Sequence, residues 1–364
     1  MKRLGAIFLV LLLAAPAFAC TTAVVSAGAS KSGRPMLWKQ RDASDKYNIM
    51  VNVTGGRYAY TGLFPTADTL HRKCYAGINE AGFAIMNNLS YNLCPDDSTA
   101  LKARSGVLMA VALAECRTLE DFEGLLRSPE KPLPQSANYG VIDALGGAAY
   151  YEVSDTAFVR YDVPEDGILF RTNFSLSGDP ERGRGFERYD TMEVLTEPPG
   201  MFNPAFFLNT GRSYLRTGRD VLAGARSLEE TGFIPRSTTV SSVVIEGAAK
   251  EGERGVLWCA TGYTPCCYAV AAVQGAPLPE ILQGPANLAA AELYGRVHPS
   301  GDKQLDCKAL RRIIRIVKRF ERGEAWHARR MIRKIGTAGE EAAVLKYNEG
   351  ADRRFLKFKK RLKI

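Results

Sequence analysis

The chain is poor in histidine and has no spacing typical of a metal site. Its 364 residues include only three histidines, His71, His298 and His327, and no two cysteines are spaced as C-x-x-C. Protein zinc sites draw on clusters of these two residue types. Neither a metal nor another cofactor is therefore expected, and a mechanism that depends on histidine has few candidates.

Long apolar segments are also missing. The longest run, Leu4–Ala15, is about a dozen residues, and the apolar stretch Ala269–Val273 ends at Gln274. A helix needs roughly 20 apolar residues to span a bilayer, so no transmembrane helix is predicted. With 46% hydrophobic and 24% charged residues, the composition is that of an ordinary globular protein and excludes collagenous, coiled-coil and disordered classes.

A net positive charge is missing from most of the chain. The net charge is +9, yet residues 1–300 carry a net charge of −3 and residues 301–364 one of +12. Nucleic-acid enzymes concentrate positive charge along their working groove. The main body offers no such surface, so nucleic acid is not predicted as a substrate or partner.

The first residues match a secretory signal peptide. Lys2 and Arg3 precede the apolar run, and small residues at Ala17 and Ala19 would direct cleavage to the bond before Cys20. We therefore predict a signal peptide over residues 1–19 and a secreted or periplasmic mature protein that begins at Cys20.

A cysteine directly after a cleavage site has three interpretations. It can be an N-terminal nucleophile, a lipid attachment site, or an ordinary residue if cleavage falls elsewhere. Lipid attachment usually follows a larger aliphatic residue at the position of Ala17, and Phe18 is bulky. A lipid-anchored binding protein without catalysis stays open as an alternative.

An N-terminal cysteine can supply both nucleophile and base. The thiol has a pKa near 8.5 and an α-amino group one near 7.7–8.0, so moving the proton between them costs on the order of 1 kcal/mol. Both groups belong to one residue, which makes them close by covalent structure. No catalytic histidine is then required; an ordinary cysteine–histidine mechanism would have to use His71.

Seven other cysteines follow Cys20, which makes their number odd. Export to an oxidising compartment favours some disulfides, although their pairing cannot be deduced from sequence. These cysteines are Cys74, Cys94, Cys116, Cys259, Cys266, Cys267 and Cys307.

Strand patterns dominate the body of the chain. Thr21–Ser26 and Pro35–Gln40 predict a hairpin that starts at the new N-terminus, and a second hairpin is predicted across Gly146-Gly147. Ala103–Cys116 has helical spacing, and Thr118 and Asp121 resemble a helix capping box. The pattern predicts an α+β domain over residues 20–300 with mostly antiparallel sheets.

Residues 301–364 predict a basic helical extension. Apolar residues recur at three- and four-residue spacing from Leu310 to Phe320, and a second helical stretch runs over about Ala325–Ile335. We expect a helix packed on the body with a solvated basic face. Peripheral contact with an anionic membrane or an acidic partner stays open, as does a homo-oligomer.

Three segments in order resemble one superfamily. They are Cys20-Thr21-Thr22-Ala23-Val24-Val25, the stretch ending Lys39-Gln40-Arg41-Asp42, and Gly77-Ile78-Asn79-Glu80-Ala81-Gly82. Together they look like the N-terminal nucleophile hydrolases of the choloylglycine hydrolase and penicillin V acylase group, with isopenicillin-N acyltransferase-like enzymes. The resemblance implies an αββα four-layer sandwich and hydrolysis of a linear, non-peptide amide of a small molecule.

The resemblance also implies roles for individual residues. Cys20 would be the nucleophile, Asp42 would orient its amine, and Asn173 would donate its side-chain amide to the oxyanion. Asn88, or the adjacent Asn87, would add a main-chain N–H. Arg41 would act in catalysis, and Lys39 and Asn87 would bind substrate.

The sequence departs from the group at three places. Lys39 stands where the group has arginine, and lysine cannot form the same bidentate contacts. The arginine that bile-salt enzymes carry in the strand matching Thr238–Ser242 is missing, and Asn173 is followed by Phe174 where some acyltransferases have histidine. An acyltransferase or a dipeptidase with the same nucleophile therefore stays open.

Overall fold

The structure is a computed structural model that describes residues 19–197, 200–301 and 304–364. The predicted signal peptide lies, except for Ala19, outside the described residues.

The elements are numbered in chain order. The strands are β1 (Thr21–Val25), β2 (Met36–Asp42), β3 (Asn48–Val53), β4 (Tyr60–Pro65), β5 (Ala76–Asn79), β6 (Ala84–Leu89), β7 (Ser136–Ile142), β8 (Ala148–Ser154), β9 (Phe158–Asp162), β10 (Ile168–Arg171), β11 (Leu215–Arg216), β12 (Arg219–Asp220), β13 (Ser227–Glu229), β14 (Thr239–Glu246), β15 (Val256–Thr261), β16 (Val270–Val273) and β17 (Gln304–Asp306). The helices are α1 (Asp97–Lys102), α2 (Ser105–Glu115), α3 (Leu119–Arg127), α4 (Phe186–Thr196), α5 (Pro204–Thr210), α6 (Pro285–Val297), α7 (Cys307–Ile332) and α8 (Glu340–Leu362).

Two large sheets form the centre of the molecule. One has the strand order β10-β1-β2-β14-β15-β16 and the other β3-β4-β5-β6-β7-β8-β9. Neighbouring strands within each are antiparallel. The predicted first hairpin is confirmed, because β1 pairs with β2 from Thr21 opposite Gln40 to Val25 opposite Met36.

The sheets lie face to face between two helical layers. Strands β1 and β2 contact β6 and β7 across the sheet interface; α2 covers β5 and β6; and α5, α6 and α7 cover β14, β15 and β16. One apolar core fills the space between the sheets and under α6–α8, and a second lies between the seven-stranded sheet and α2 and α3. The predicted α+β sandwich of four layers, αββα, is confirmed.

The predicted capping box at the start of α3 is also present. The Thr118 hydroxyl accepts from the main-chain N–H of Asp121, whose side chain accepts in return from the N–H of Thr118. Asp thus performs the task for which Glu or Gln is preferred.

The two helical stretches expected between Leu310 and Ile335 form one helix, α7. Gly323 lies between the two predicted stretches, and glycine weakens a helix by about 1 kcal/mol relative to alanine. Buried contacts on either side override that cost: Glu321 pairs with Arg212, and Glu324 pairs with Arg354 of α8. No helix among the described residues is long and apolar enough to cross a membrane.

Candidate active site

Cys20 lines a cavity of about 860 Å³. It directly precedes β1, whose two neighbours in the sheet, β10 and β2, bring other polar residues to the same place. Only 6% of its surface is exposed. Its Sγ lies 4.0 Å from the main-chain oxygen of Asp42, at the last residue of β2.

Asn173 holds the main chain of Cys20. It follows β10, and its Oδ1 accepts a hydrogen bond from the Cys20 main-chain N at 2.9 Å. The same oxygen accepts from a guanidinium, and the Nδ2 atom donates to the Leu89 main-chain oxygen at 2.8 Å. These partners assign Oδ1 to the end of the Asn173 amide that faces Cys20 and Nδ2 to the end that faces Leu89.

That guanidinium belongs to Arg188 on α4, which sequence reasoning missed. It donates to the Cys20 main-chain oxygen at 2.5 Å, to Thr21 Oγ1 at 2.8 Å and to Asn173 Oδ1 at 2.8 Å. Burial lowers the pKa of Arg188 to about 10, and the nearby charge of Arg236 adds to this effect. No motif or spacing links a helical arginine to a cysteine 168 residues earlier, so the sequence carried no signal for it.

Asp42 is a buried carboxyl group with one unsatisfied oxygen. Thr239 Oγ1 donates to Oδ1 at 2.6 Å, whereas Oδ2 is buried without a hydrogen-bond partner and lies 3.6 Å from Arg236 Nε. Burial raises the pKa of Asp42 to about 6, although Arg236 and Arg188 oppose the shift. Arg236 lies just before β14. It was also missed, because the resemblance implies an arginine only within the strand that follows it.

Lys39 and Arg41 project from β2 toward the other sheet, as alternate residues of a strand do. Lys39 Nζ donates to both the main-chain oxygen and Oδ1 of Asn87. Burial lowers the pKa of Lys39 to about 8, although its proximity to Cys20 opposes that shift. Arg41 donates to Asn48 Oδ1 at 2.9 Å and stacks 4.1 Å from the centre of the Tyr75 ring.

The main chains of Asn87 and Asn88 point in opposite directions. Ser90 donates its main-chain N–H to the Ser136 oxygen at the start of β7. Alternate residues of an antiparallel strand form hydrogen bonds with the same neighbouring strand. The main chain of Asn88 therefore faces β7, and that of Asn87 faces the opposite side. The Asn88 side chain accepts from Thr22 Oγ1 at 2.7 Å and donates to the Thr172 oxygen. The Asn88 side chain therefore connects β6 to β1 and to the segment after β10 by hydrogen bonds.

The cavity brings together most of the residues predicted for the site. Its lining includes Cys20, Lys39, Arg41, Asp42, Asn87 and Asn88. Asn173 reaches Cys20 through the hydrogen bond described above. Their catalytic and binding roles stay predictions.

The cavity wall includes an apolar helix face and several basic residues. Helix α2 contributes Val107, Ala110, Val111 and Ala114, which share one helix face. The basic lining residues are Lys39, Arg41, Arg72, Lys73, Lys102 and Arg104. Among the described lining residues, Asp42 is the only acid.

The three histidines lie in different places. His71 lines the cavity and packs its ring on Phe64, with a centroid distance of 5.2 Å. His298 is buried against Glu230, and His327 lies on α7 beside Trp326. Across the described ranges no three His, Cys, Asp or Glu side chains cluster closely enough to hold a metal ion.

All eight cysteines lie in the described part of the chain, and all are free and buried. The expected disulfides are therefore not present in the structure. Burial raises the pKa of Cys74, Cys116 and Cys267 to about 12, which disfavours their reactive thiolate forms.

Comparisons with known proteins give weak structural similarities. No protein-family model and no curated protein sequence matches the chain. A Caenorhabditis elegans N-acylethanolamine-hydrolyzing acid amidase ortholog is similar at 17% identity and a TM-score of 0.42, over 62% of this chain and 92% of that one. Penicillin V acylase from Agrobacterium tumefaciens (13%, 0.39) covers 70% of this chain and 85% of its own, and a variant conjugated bile acid hydrolase from Clostridium perfringens (11%, 0.39) covers 70% and 91%. Identities and TM-scores this low identify neither a family nor a reaction for this chain.

Proposed function

We propose that the mature chain begins at Cys20 after export and hydrolyses an acyl amide through a thioester on that cysteine. The observation that carries the proposal is the setting of Cys20. Its thiol lies in a cavity, its main-chain N contacts Asn173, and its Sγ lies 4.0 Å from the main-chain oxygen of Asp42, whose carboxylate has a buried oxygen without a hydrogen-bond partner.

The reaction needs no group beyond the substrate and water. The α-amine takes the thiol proton, and Sγ attacks the amide carbonyl carbon to form a tetrahedral oxyanion. Collapse breaks the C–N bond, and the ammonium returns its proton to the departing amine. Water then attacks the thioester, which releases the acid and restores the thiol.

Asp42 is proposed to hold the ammonium formed in this cycle. Cleavage before Cys20 converts a main-chain N–H into an ammonium group with further hydrogen-bond donors, and Oδ2 of Asp42 lacks a donor. Buried polar atoms in proteins normally have a partner, so this unsatisfied oxygen supports the pairing.

Asn173 and Asn87 are the proposed oxyanion donors. One N–H of the Asn173 side chain is used by Leu89, which leaves the second for the substrate. Asn87 rather than Asn88 has its main chain directed away from β7, on the side where Lys39 lies. An oxyanion-hole donor contributes about 3–4 kcal/mol to transition-state stabilisation.

The proposed substrate is an acyl amide with an anionic group. The apolar face of α2 suits a linear acyl chain, and the basic residues of the lining suit a carboxylate, sulfonate or phosphate. A lipid anchor on Cys20 fits poorly, because the residue is buried and its main chain is enclosed by Arg188 and Asn173.

The test compares the purified exported chain with the Cys20→Ala variant on N-decanoylglycine. We expect the wild type to release decanoic acid and glycine, faster than it cleaves N-acetylglycine or neutral N-decanoylethanolamine. Cys20→Ala should lose activity at least about a thousandfold. An added amine acceptor that diverts the acyl group into a new amide would favour the acyltransferase alternative.

Two matched variants serve as controls. Cys94→Ala removes another buried thiol that does not line the cavity, and His71→Ala removes the histidine that does. Both should keep most of the activity. Loss of activity in His71→Ala with retention in Cys20→Ala would refute the mechanism.

A further inference from the structure

The exposed side of α7 carries a basic stripe that includes one tryptophan. Spacings of three and four residues place its members on one helix face, and all are exposed. This arginine stripe, as we name it, consists of Arg312, Arg315, Arg319, Arg322, Trp326, Arg330 and the C-cap residue Arg333. At 1.5 Å per residue it is about 31 Å long.

No acidic side chain of α7 offsets this charge at the surface. Glu321 and Glu324 both point inward and are neutralised by Arg212 and Arg354. Helices on solvated surfaces usually alternate charges of opposite sign to support themselves. A stripe of positive charges alone lacks the stabilisation that opposite charges provide, and this points to an external anionic partner.

A pocket of about 500 Å³ lies between the stripe and α8. Its basic lining residues are Arg312, Arg315, Arg319, Lys357 and Arg361, and Ile316 and Phe320 complete the lining. Among the described residues none of these five cations makes a side-chain hydrogen bond or ion pair with another protein group. Cations above half-buried apolar side chains match a phosphate headgroup joined to an acyl chain, and clusters of roughly four to eight Lys or Arg residues on an amphipathic helix are typical of binding to anionic lipids.

The aromatic residue of the stripe supports the same partner. Trp326 is 53% exposed, and the Arg330 guanidinium stacks 4.8 Å from its ring centre. Tryptophan is enriched where protein meets the lipid–water interface. Single-stranded nucleic acid, by contrast, is bound by several stacking aromatics along a groove, and the arginine stripe contains one aromatic residue, Trp326.

We propose that the α7–α8 face docks on an anionic lipid bilayer, with lipid phosphates bound by the arginine stripe and by the pocket beside it. Helix α7 covers the six-stranded sheet, and α2, which forms a wall of the active-site cavity, covers the other sheet. Docking therefore involves the face opposite α2, and it does not depend on the proposed catalysis.

Vesicle co-sedimentation of the full exported chain tests the proposal. The wild type should bind vesicles of phosphatidylcholine with phosphatidylglycerol, should not bind phosphatidylcholine alone, and should be released by high salt. The triple variant Arg312→Gln, Arg315→Gln, Arg319→Gln should bind anionic vesicles about a hundredfold more weakly. Because these side chains are exposed, thermal unfolding should match the wild type.

A matched triple variant controls for net charge. Lys31→Gln, Arg57→Gln, Lys250→Gln removes three exposed charges from the body of the chain and should bind within about threefold of the wild type. Equal weakening in both triple variants, or no binding of the wild type to anionic vesicles, would overturn the proposal. Stripe-dependent binding to duplex DNA without vesicle binding would assign the face to nucleic acid and would overturn it too.

Trp326 provides a direct spectroscopic signal. The other two tryptophans, Trp38 and Trp258, are 0% and 6% exposed, so a fluorescence blue shift on vesicle binding reports on Trp326. The shift should disappear in Trp326→Phe. A wild-type chain that sediments with anionic vesicles without any shift would contradict docking through this face.

Discussion

At the scale of single residues, the candidate site holds ionisable groups where burial disfavours their charges. Burial raises the pKa of Asp42 to about 6 and lowers that of Lys39 to about 8. Each shift makes the charged form less stable in the folded protein than in water. Such shifts concentrate at functional sites, and each reduces the stability of the fold.

Asp42→Asn should therefore stabilise the unprocessed chain. In the processed chain the same substitution should abolish catalysis. Because the folded pKa lies above the unfolded value of 3.8, the stability contributed by Asp42 is full below pH 3.8 and falls as the pH rises to about 6. At pH 7 the variant should gain about 2–3 kcal/mol in free energy of unfolding, and at pH 3.5 nothing. Chemical denaturation at both pH values measures this.

The processed chain offers a sharper comparison. If the new amine of Cys20 pairs with Asp42, the charge of the carboxylate is offset and Asp42→Asn should gain less there than in the unprocessed chain. Asp166→Asn, at an exposed site, should change stability by less than about 0.5 kcal/mol at either pH. Equal gains in processed and unprocessed chains would argue against the pairing.

Local sequence signals identified the residues of the site only in part. Cys20 and Asp42 were predicted from a cleavage pattern and a short motif, and the β1–β2 hairpin brings them together. Arg188 and Arg236 come from other elements, and their proximity to Cys20 and Asp42 arises from tertiary packing. A single sequence holds no local pattern for such contacts.

At the scale of elements, strong local patterns predicted structure well and weak ones did not. The capping box of α3 and the β7–β8 hairpin were predicted because their turn and cap residues are specific. Strands β3 and β4 were not predicted, since Gly55 and Gly56 and a mixed polar pattern hide them. The continuity of α7 depended on partners elsewhere in the chain.

Glu321 should be important for the position of α7. Its carboxylate accepts two bonds from the buried Arg212, at 2.5 and 2.6 Å, and one from the Ala269 main-chain N–H at 2.9 Å. Glu321→Gln leaves the Arg212 charge buried without a counter-ion, so we expect a loss of about 3 kcal/mol in stability. Thermal and urea unfolding measure the change.

An exposed pair on α8 is the appropriate control. Glu349 and Arg353 are 69% and 66% exposed, so Glu349→Gln should cost less than about 0.5 kcal/mol. If Glu321→Gln were as mild as this control, the buried ion pair would not be what holds α7 to the sheet.

At the scale of the whole molecule, the two sheets place the ends of β1, β2 and β6 around one cavity. The αββα arrangement was predicted from the resemblance, whereas the strand patterns predicted only the α+β class with mostly antiparallel sheets. The basic face of α7 lies on the opposite helical layer from α2, so the molecule has a proposed reactive side and a proposed membrane side. The sequence predicted a solvated basic face on the C-terminal helix, whereas the inward direction of Glu321 and Glu324 required the structure.

The central claim is that Cys20 is the first residue of the working enzyme and carries a free amine. The most direct measurement is the mass of the N-terminal tryptic peptide of the exported chain. The account predicts a peptide from Cys20 to Lys31 with an unmodified amine and thiol. A peptide that starts at another residue, or one that carries an acyl or diacylglyceryl group, would contradict it.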